Sequence, residues 1–105
     1  MALLVKSDGT IAVTLPHDGS EFTLKELQTF VGGHIEVLKI HGSIAGYEGE
    51  FEMMVCNEDG IALGLPVNMI ATAFYMDGGI DLARPDVAAS LVLGDVLLCK
   101  HGEVS

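Results

Sequence analysis

Two cysteines and four histidines are the residues of this sequence that could bind a metal ion or act as nucleophiles. His34 and His41 are seven residues apart, and an odd separation on a strand directs side chains to opposite faces, so the two cannot bind one ion without a bulge. Cys99 and His101 share a face, and Cys56 could join them if its strand neighbours theirs. Because no C-x-x-C or H-x-x-x-H spacing accompanies them, we predict reduced, buried thiols and surface histidines, with no metal and no cofactor. A disulfide between the two cysteines stays an alternative.

Motifs for enzymatic chemistry are missing from the sequence. Residues 42–46 lack the spacing of a G-x-S-x-G elbow, and no Walker A loop, G-x-G-x-x-G or H-E-x-x-H occurs. The turn at residues 57–60 (Asn-Glu-Asp-Gly) lacks the alternating ligands and the distal Glu of a calcium loop. We therefore predict a non-enzymatic protein. Two alternatives remain: a metal- or small-molecule-binding module that uses the thiols and a helix N-terminus at Asn68, and an uncharacterised hydrolase with paired carboxylates.

Acidic residues dominate the middle of the chain. The sequence has 15 Asp and Glu against 5 Lys and Arg, a net charge of −10, and no Lys or Arg between Lys39 and Arg84. The candidate interaction residues in this window are Glu48, Glu50, Glu52, Glu58 and Asp59. The first three alternate, so a strand would place them on one face and direct Phe51, Met53 and Val55 into the core.

Two interpretations of this acidic window compete. The first is a solvated outer face that keeps an apolar protein soluble and protects an edge strand. The second, which we adopt as the functional hypothesis, is a surface for a basic host protein. In its sharpest form the carboxylates imitate nucleic-acid phosphates and inhibit a DNA- or RNA-binding defence or regulatory factor. The same charge disfavours direct binding to nucleic acids or to anionic membranes.

Length and hydropathy favour one folded domain. The chain has 105 residues, half of them apolar, and a mean hydropathy of +0.46, which excludes intrinsic disorder. Residues 1–8 lack the features of a signal peptide, and no apolar run approaches the roughly 18 residues of a membrane span. We expect a single domain over residues 1–105 and a cytoplasmic location. Apolar segments near both termini also predict a homodimer that pairs edges or covers an apolar face.

The elements that position these residues are short strands and two helices. Residues 3–6 and 10–15 flank the Ser7-Asp8-Gly9 turn and predict a hairpin. Thr23 and Glu26 predict a capping box and a helix over residues 23–31, which Gly32-Gly33 ends. The expected apolar stripe of this helix comprises Leu24, Leu27, Phe30 and Val31.

The second half of the chain repeats this order. A strand at 34–41 completes the first half. The second half predicts strands at 51–56 and 61–65, a helix at about 69–76 capped by Asn68, and a last strand pair or one long strand at 91–93 and 95–99, broken at Gly94. An internal repeat and shared turn chemistry both explain the similarity. The predicted fold class is α+β, with the order ββαβ-ββαβ, an antiparallel sheet, and both helices on one face of it.

Several segments, spread over about residues 3–99, resemble one known family. They are Leu24-x-x-Leu27-Gln28-x-x-Val31-Gly32-Gly33-x-Ile35-Glu36-Val37, Asn57-Glu58-Asp59-Gly60, Gly64-Leu65-Pro66-x-Asn68 with Ala71-Thr72, and Gly94-Asp95-Val96. Together they resemble the family catalogued as domain of unknown function 3846. The Gly-rich stretch at 42–49 and the length between Thr72 and Gly94 depart from its pattern. The resemblance implies no activity and no catalytic residues; it implies a small accessory protein of phage or mobile-element type in the cytoplasm of a host cell.

Overall fold

A computed structural model of the chain describes residues 1–17, 19, 21–44, 46–47, 49–78, 91–100 and 102–104. The elements are β1 (Ala2–Val5), β2 (Ile11–Thr14), α1 (Leu24–Val31), β3 (Ile35–Gly42), β4 (Phe51–Asn57), α2 (Met69–Gly78) and β5 (Val96–Cys99). The strands form one sheet in the order β2-β1-β5-β4-β3, and every neighbouring pair is antiparallel. The α+β fold class is therefore confirmed.

The first hairpin forms where the turn chemistry predicts it. The Lys6 amide donates to the Thr10 carbonyl at 2.8 Å, and the Asp8 carboxylate accepts from the Thr10 amide at 2.8 Å. Hydrogen bonds from the Thr10 side chain and then from its amide lower the pKa of Asp8. Gly9 has a φ of +94°, a conformation that a residue with a side chain rarely adopts. Local hydrogen bonds thus fix the register of β1 against β2.

Helix α1 begins and ends at the predicted residues. The Thr23 hydroxyl accepts from the Glu26 amide at 3.1 Å, and the Glu26 carboxylate accepts from the Thr23 amide at 3.0 Å, so the capping box is present. Gly32 ends the helix with a φ of +80°, and its amide donates to a carbonyl of the last turn. One residue of the expected stripe is misplaced, because Leu24 is exposed.

The two helices cover opposite faces of the sheet. On one face, Leu27 and Val31 of α1 pack with Leu97 and Cys99. On the other face, Ala71 of α2 packs in a cluster that includes Leu3, Met54, Cys56, Val96 and Leu98. Our expectation that both helices share one face is wrong. The residues of β4 that we expected in the core do pack there, but Phe51 lies in the α2-side cluster and Met53 and Val55 lie in the α1-side cluster. All four residues of β5 are apolar and buried, and a strand that is apolar on both faces needs a covering layer on each.

The predicted strand at 61–65 is absent. Residues 58–64 instead form consecutive turns, in which the Leu63 amide donates to the Asp59 carbonyl at 2.9 Å and the Leu65 amide to the Gly60 carbonyl at 3.0 Å. Gly60, Gly64 and Pro66 fall within seven residues, and this density of strand-breaking residues outweighs the apolar pattern between them. The order ββαβ-ββαβ therefore becomes ββαβ-βαβ, and the second half does not repeat the first.

Candidate functional site

The predicted acidic residues lie at the two ends of β4. Glu50 precedes the strand, Glu52 lies near its start, and Glu58 and Asp59 follow its last residue. All four are exposed, whereas Phe51, between the first two, is fully buried. Glu48 lies outside the described residues.

The length of β4 separates these residues into two groups. Glu58 follows Glu52 by six positions, which corresponds to about 20 Å along an extended strand. The structure thus brings Glu50 together with Glu52, and Glu58 together with Asp59. We call the second pair the distal acidic pair.

A histidine contacts one carboxylate at each end. His41 Nε2 lies 3.3 Å from the Glu50 carboxylate, and His34 Nδ1 lies 3.4 Å from the Asp59 carboxylate. All four side chains are largely exposed, so these contacts contribute little to stability. The two histidines lie at opposite ends of β3, so they do not share a site.

Lysine is unevenly distributed between the two ends. At the Glu50 end, Lys100 Nζ lies 5.7 Å from the centre of the Phe51 ring, and a Cβ added to Gly49 would lie 2.8 Å from it. Among the residues that the structure describes, no lysine lies within ion-pair distance of Glu58 or Asp59. The described lysine near these carboxylates therefore lies at the Glu50 end, beside Phe51 and Gly49.

The turn that carries the distal acidic pair is held from inside the protein. Asn57 is buried; its Nδ2 donates to the Val31 carbonyl at the end of α1 at 3.1 Å, and its Oδ1 accepts from the Asp59 amide at 2.7 Å. The Glu58 amide donates to the His34 carbonyl at 2.9 Å. This turn therefore has a structural role in which the backbone is fixed and the two carboxylates stay in solvent.

The residues of the metal-site hypothesis do not come together. Cys56 packs on the α2 face of the sheet and Cys99 on the α1 face, so they can share neither an ion nor a disulfide. Both thiols are free, and burial raises the pKa of each to about 12, which makes them poor ligands and nucleophiles. The described residues contain no group of three or more His, Cys, Asp or Glu that could hold a metal. His101 lies outside the described residues.

The helix N-terminus at Asn68 is closed to a ligand. Asn68 is fully buried; its Nδ2 donates to the carbonyls of Val5 and Gly94, both at 2.9 Å, and its Oδ1 accepts from the Ala71 amide at 3.0 Å. All hydrogen-bonding groups of this amide are therefore used, in joining β1, α2 and the segment before β5. The anion-binding hypothesis for this residue is wrong.

An exposed apolar surface was missed by the sequence reasoning. Large apolar side chains are solvent-exposed after the distal acidic pair and just before β5; they are Ile61, Leu63, Val67, Met69 and Leu91. We had assigned all of these except Val67 to a predicted strand or helix. The signal that could have found them is the spacing of Gly60, Gly64 and Pro66, which excludes the strand that would have buried part of this segment.

Comparison with known proteins identifies a family. A family model described as "Domain of unknown function (DUF3846)" matches residues 1–104. Searches of curated proteins and of solved structures found no match. Within the described part of the chain, no helix has both the length and the apolar character that crossing a membrane requires.

Proposed function

The chain belongs to the family described as Domain of unknown function (DUF3846), and from that premise we propose that it is a small acidic protein that binds a basic protein partner and catalyses no reaction. In the sharpest form of the proposal, it is an accessory protein of phage or mobile-element type that acts in the cytoplasm of a host cell. Its carboxylates there imitate nucleic-acid phosphates and occupy a DNA- or RNA-binding host factor.

The observation that carries this proposal is the exposure of carboxylates at both ends of β4 in a chain with a net charge of −10. The sequence has no Lys or Arg between Lys39 and Arg84, the window that contains these carboxylates. A surface of one sign accelerates encounters with an oppositely charged partner and repels one of like charge. The partner that suits this charge is a basic protein, since nucleic acids and anionic membranes carry the same sign as the chain.

The side chains on which the metal and small-molecule hypotheses depend have other roles. Cys56 and Cys99 are packed in two separate apolar clusters, and Asn68 joins three segments of the backbone. These roles support the proposal because they explain such residues through the fold and leave the exposed carboxylates without a structural task of comparable weight.

Affinity capture from host-cell lysate with two double variants tests the proposal. Glu50→Gln/Glu52→Gln removes two negative charges at one end of β4, and Glu58→Gln/Asp59→Asn removes two at the other end. The two variants have the same net charge, so a difference between them reports the position of the charge. We expect the captured partners to be basic, to dissociate as the salt concentration rises from about 50 to about 300 mM, and to be lost from at least one variant. A second assay measures whether the chain displaces DNA from a captured DNA-binding protein. If both variants retain the same partners at the same salt concentration as the unmodified chain, the proposal is refuted.

A further inference from the structure

Large apolar side chains are exposed in the segment that follows the distal acidic pair and in the segment before β5 that pairs with it. Ile61 is 86% exposed and Met69 72% exposed, although both are large apolar side chains. We name the set of Ile61, Leu63, Val67, Met69 and Leu91 the apolar patch. We infer that the apolar patch, together with Glu58 and Asp59, is the surface on which a basic protein partner docks; this inference rests on the proposed function and specifies its partner.

The backbone that carries the patch is ordered by its own hydrogen bonds. The Leu63 amide donates to the Asp59 carbonyl at 2.9 Å, and the Gly64 amide donates to the Ile61 carbonyl at 3.1 Å. Further on, the Gly94 amide donates to the Pro66 carbonyl at 2.7 Å. A fixed backbone presents its exposed side chains at a low entropic cost of binding, as preorganised docking surfaces do.

Pairing across the fold brings distant residues into the patch. Val67 forms an antiparallel bridge with Leu93, and the Asn68 amide donates to the Val92 carbonyl at 2.8 Å. Met69, the first residue of α2, follows Val67 by two positions, and Leu91 precedes Leu93 by two positions. The patch is therefore a surface made from two segments rather than a single exposed side chain, which is the kind of apolar area that marks interaction sites.

Charge selects the occupant of this patch. Glu58 and Asp59 directly precede it, and a second copy of the chain would bring another net charge of −10 to the same place. A partner with an apolar centre and a rim of Lys or Arg matches both features. This requirement differs from pure imitation of phosphates, because a surface that only imitates phosphates needs no exposed apolar side chains such as Ile61 and Met69.

Nuclear magnetic resonance titration of the labelled full-length chain with two synthetic peptides tests this inference. The first peptide, of about 15 residues, is helical, with leucines on one face and lysines beside them. The second has the same lysines, with serine in place of each leucine. We expect the leucine–lysine peptide to bind at least about tenfold more tightly than the serine–lysine peptide, and to shift amide signals at 61–69 and 91–93. Its affinity should fall as salt is added.

Exposed side chains provide matched variants. Ile61→Ser/Leu63→Ser should weaken the leucine–lysine peptide about tenfold and leave the serine–lysine peptide unchanged. Val13→Ser/Leu15→Ser, which removes two other exposed apolar side chains, should change neither affinity. All four positions are at least half exposed, so the fold should be retained, and circular dichroism verifies this.

Three results would overturn the inference. If the two peptides bind equally well, or if the shifted signals lie away from the apolar patch, the basic-partner proposal stands but this surface is not its docking site. If neither peptide binds at low salt, the basic-partner proposal itself fails. If sedimentation shows a dimer that Ile61→Ser/Leu63→Ser dissociates, the occupant is a second copy of the chain.

Discussion

Replacement of Asn68 should destabilise the protein far more than removal of an ordinary helix cap. Asn68→Ala removes three hydrogen bonds, with Val5, Gly94 and Ala71, in a place with no access to water. At about 1 kcal/mol for each bond, the free energy of unfolding should fall by about 3 kcal/mol. For a domain of this size, that loss corresponds to a decrease in melting temperature of about 12–24 °C.

Two further variants separate the contributions of this side chain. Thr23→Ala removes the cap of α1 at an exposed site and should cost only about 1 kcal/mol. Asn68→Asp keeps the oxygen that caps α2 but turns a second oxygen towards the carbonyls of Val5 and Gly94, so it should cost at least as much as Asn68→Ala. Urea unfolding followed by circular dichroism measures all three. If Asn68→Ala costs no more than Thr23→Ala, or if Asn68→Asp is as stable as the unmodified chain, the assigned role of the Nδ2 donors is incorrect.

Three other substitutions or treatments give distinct expected results. Backbone hydrogen bonds lower the pKa of Glu26 below its ordinary value of 4.5, so its contribution to stability is present above that pH and is lost as the pH falls through the lower folded-state pKa. Melting curves of the unmodified chain and Glu26→Gln should therefore converge in acid; a constant difference would contradict this. Cys56 and Cys99 should react with a thiol reagent only after unfolding, because burial raises the pKa of each to about 12, and rapid labelling of the native protein would show otherwise. Gly94→Ala should destabilise more than Gly9→Ala: both glycines have positive φ, but only at Gly94 would the new Cβ lie within 2.8 Å of a leucine methyl. Equal melting temperatures for the two variants would show that the contact with Leu65 adds nothing to the cost.

The features that were predictable from sequence depend on short-range hydrogen bonds. The capping box joins Thr23 to Glu26, and the first hairpin is closed by bonds among Lys6, Asp8 and Thr10. The groups that bond lie within four residues of one another, so residue types at fixed spacing suffice to identify them. The exposure of Glu50 and Glu52 around the buried Phe51 follows from the same local alternation.

The features that were mispredicted depend on which distant segments meet. An apolar strand such as β5 does not indicate whether one or both of its faces are covered, and the answer comes from where α1 and α2 pack. Exposure of Met69 was hidden for a similar reason, because an apolar residue at the start of a helix is expected to be buried unless the tertiary contacts are known. Ile61 is different, because the local spacing of Gly60, Gly64 and Pro66 already argues against the strand that would have buried it. The roles of Asn68 and Asn57 likewise depend on carbonyl groups that are 26 or more residues away.

The segments that resemble the family contain many of the residues that join distant parts of the fold. This limits what family membership predicts about function. Asn57 fixes the turn after β4, Asn68 joins β1 to α2, and the Asp95 carboxylate accepts from the Ser7 amide at 3.0 Å. Gly94 lies where a side chain would meet Leu65. Residues of this kind determine the fold, so two chains that share them share an architecture whatever partner each one binds. A proposal about binding must therefore rest on the side chains that remain exposed to solvent. Among these, the charged distal acidic pair directly precedes the apolar segment that begins at Ile61.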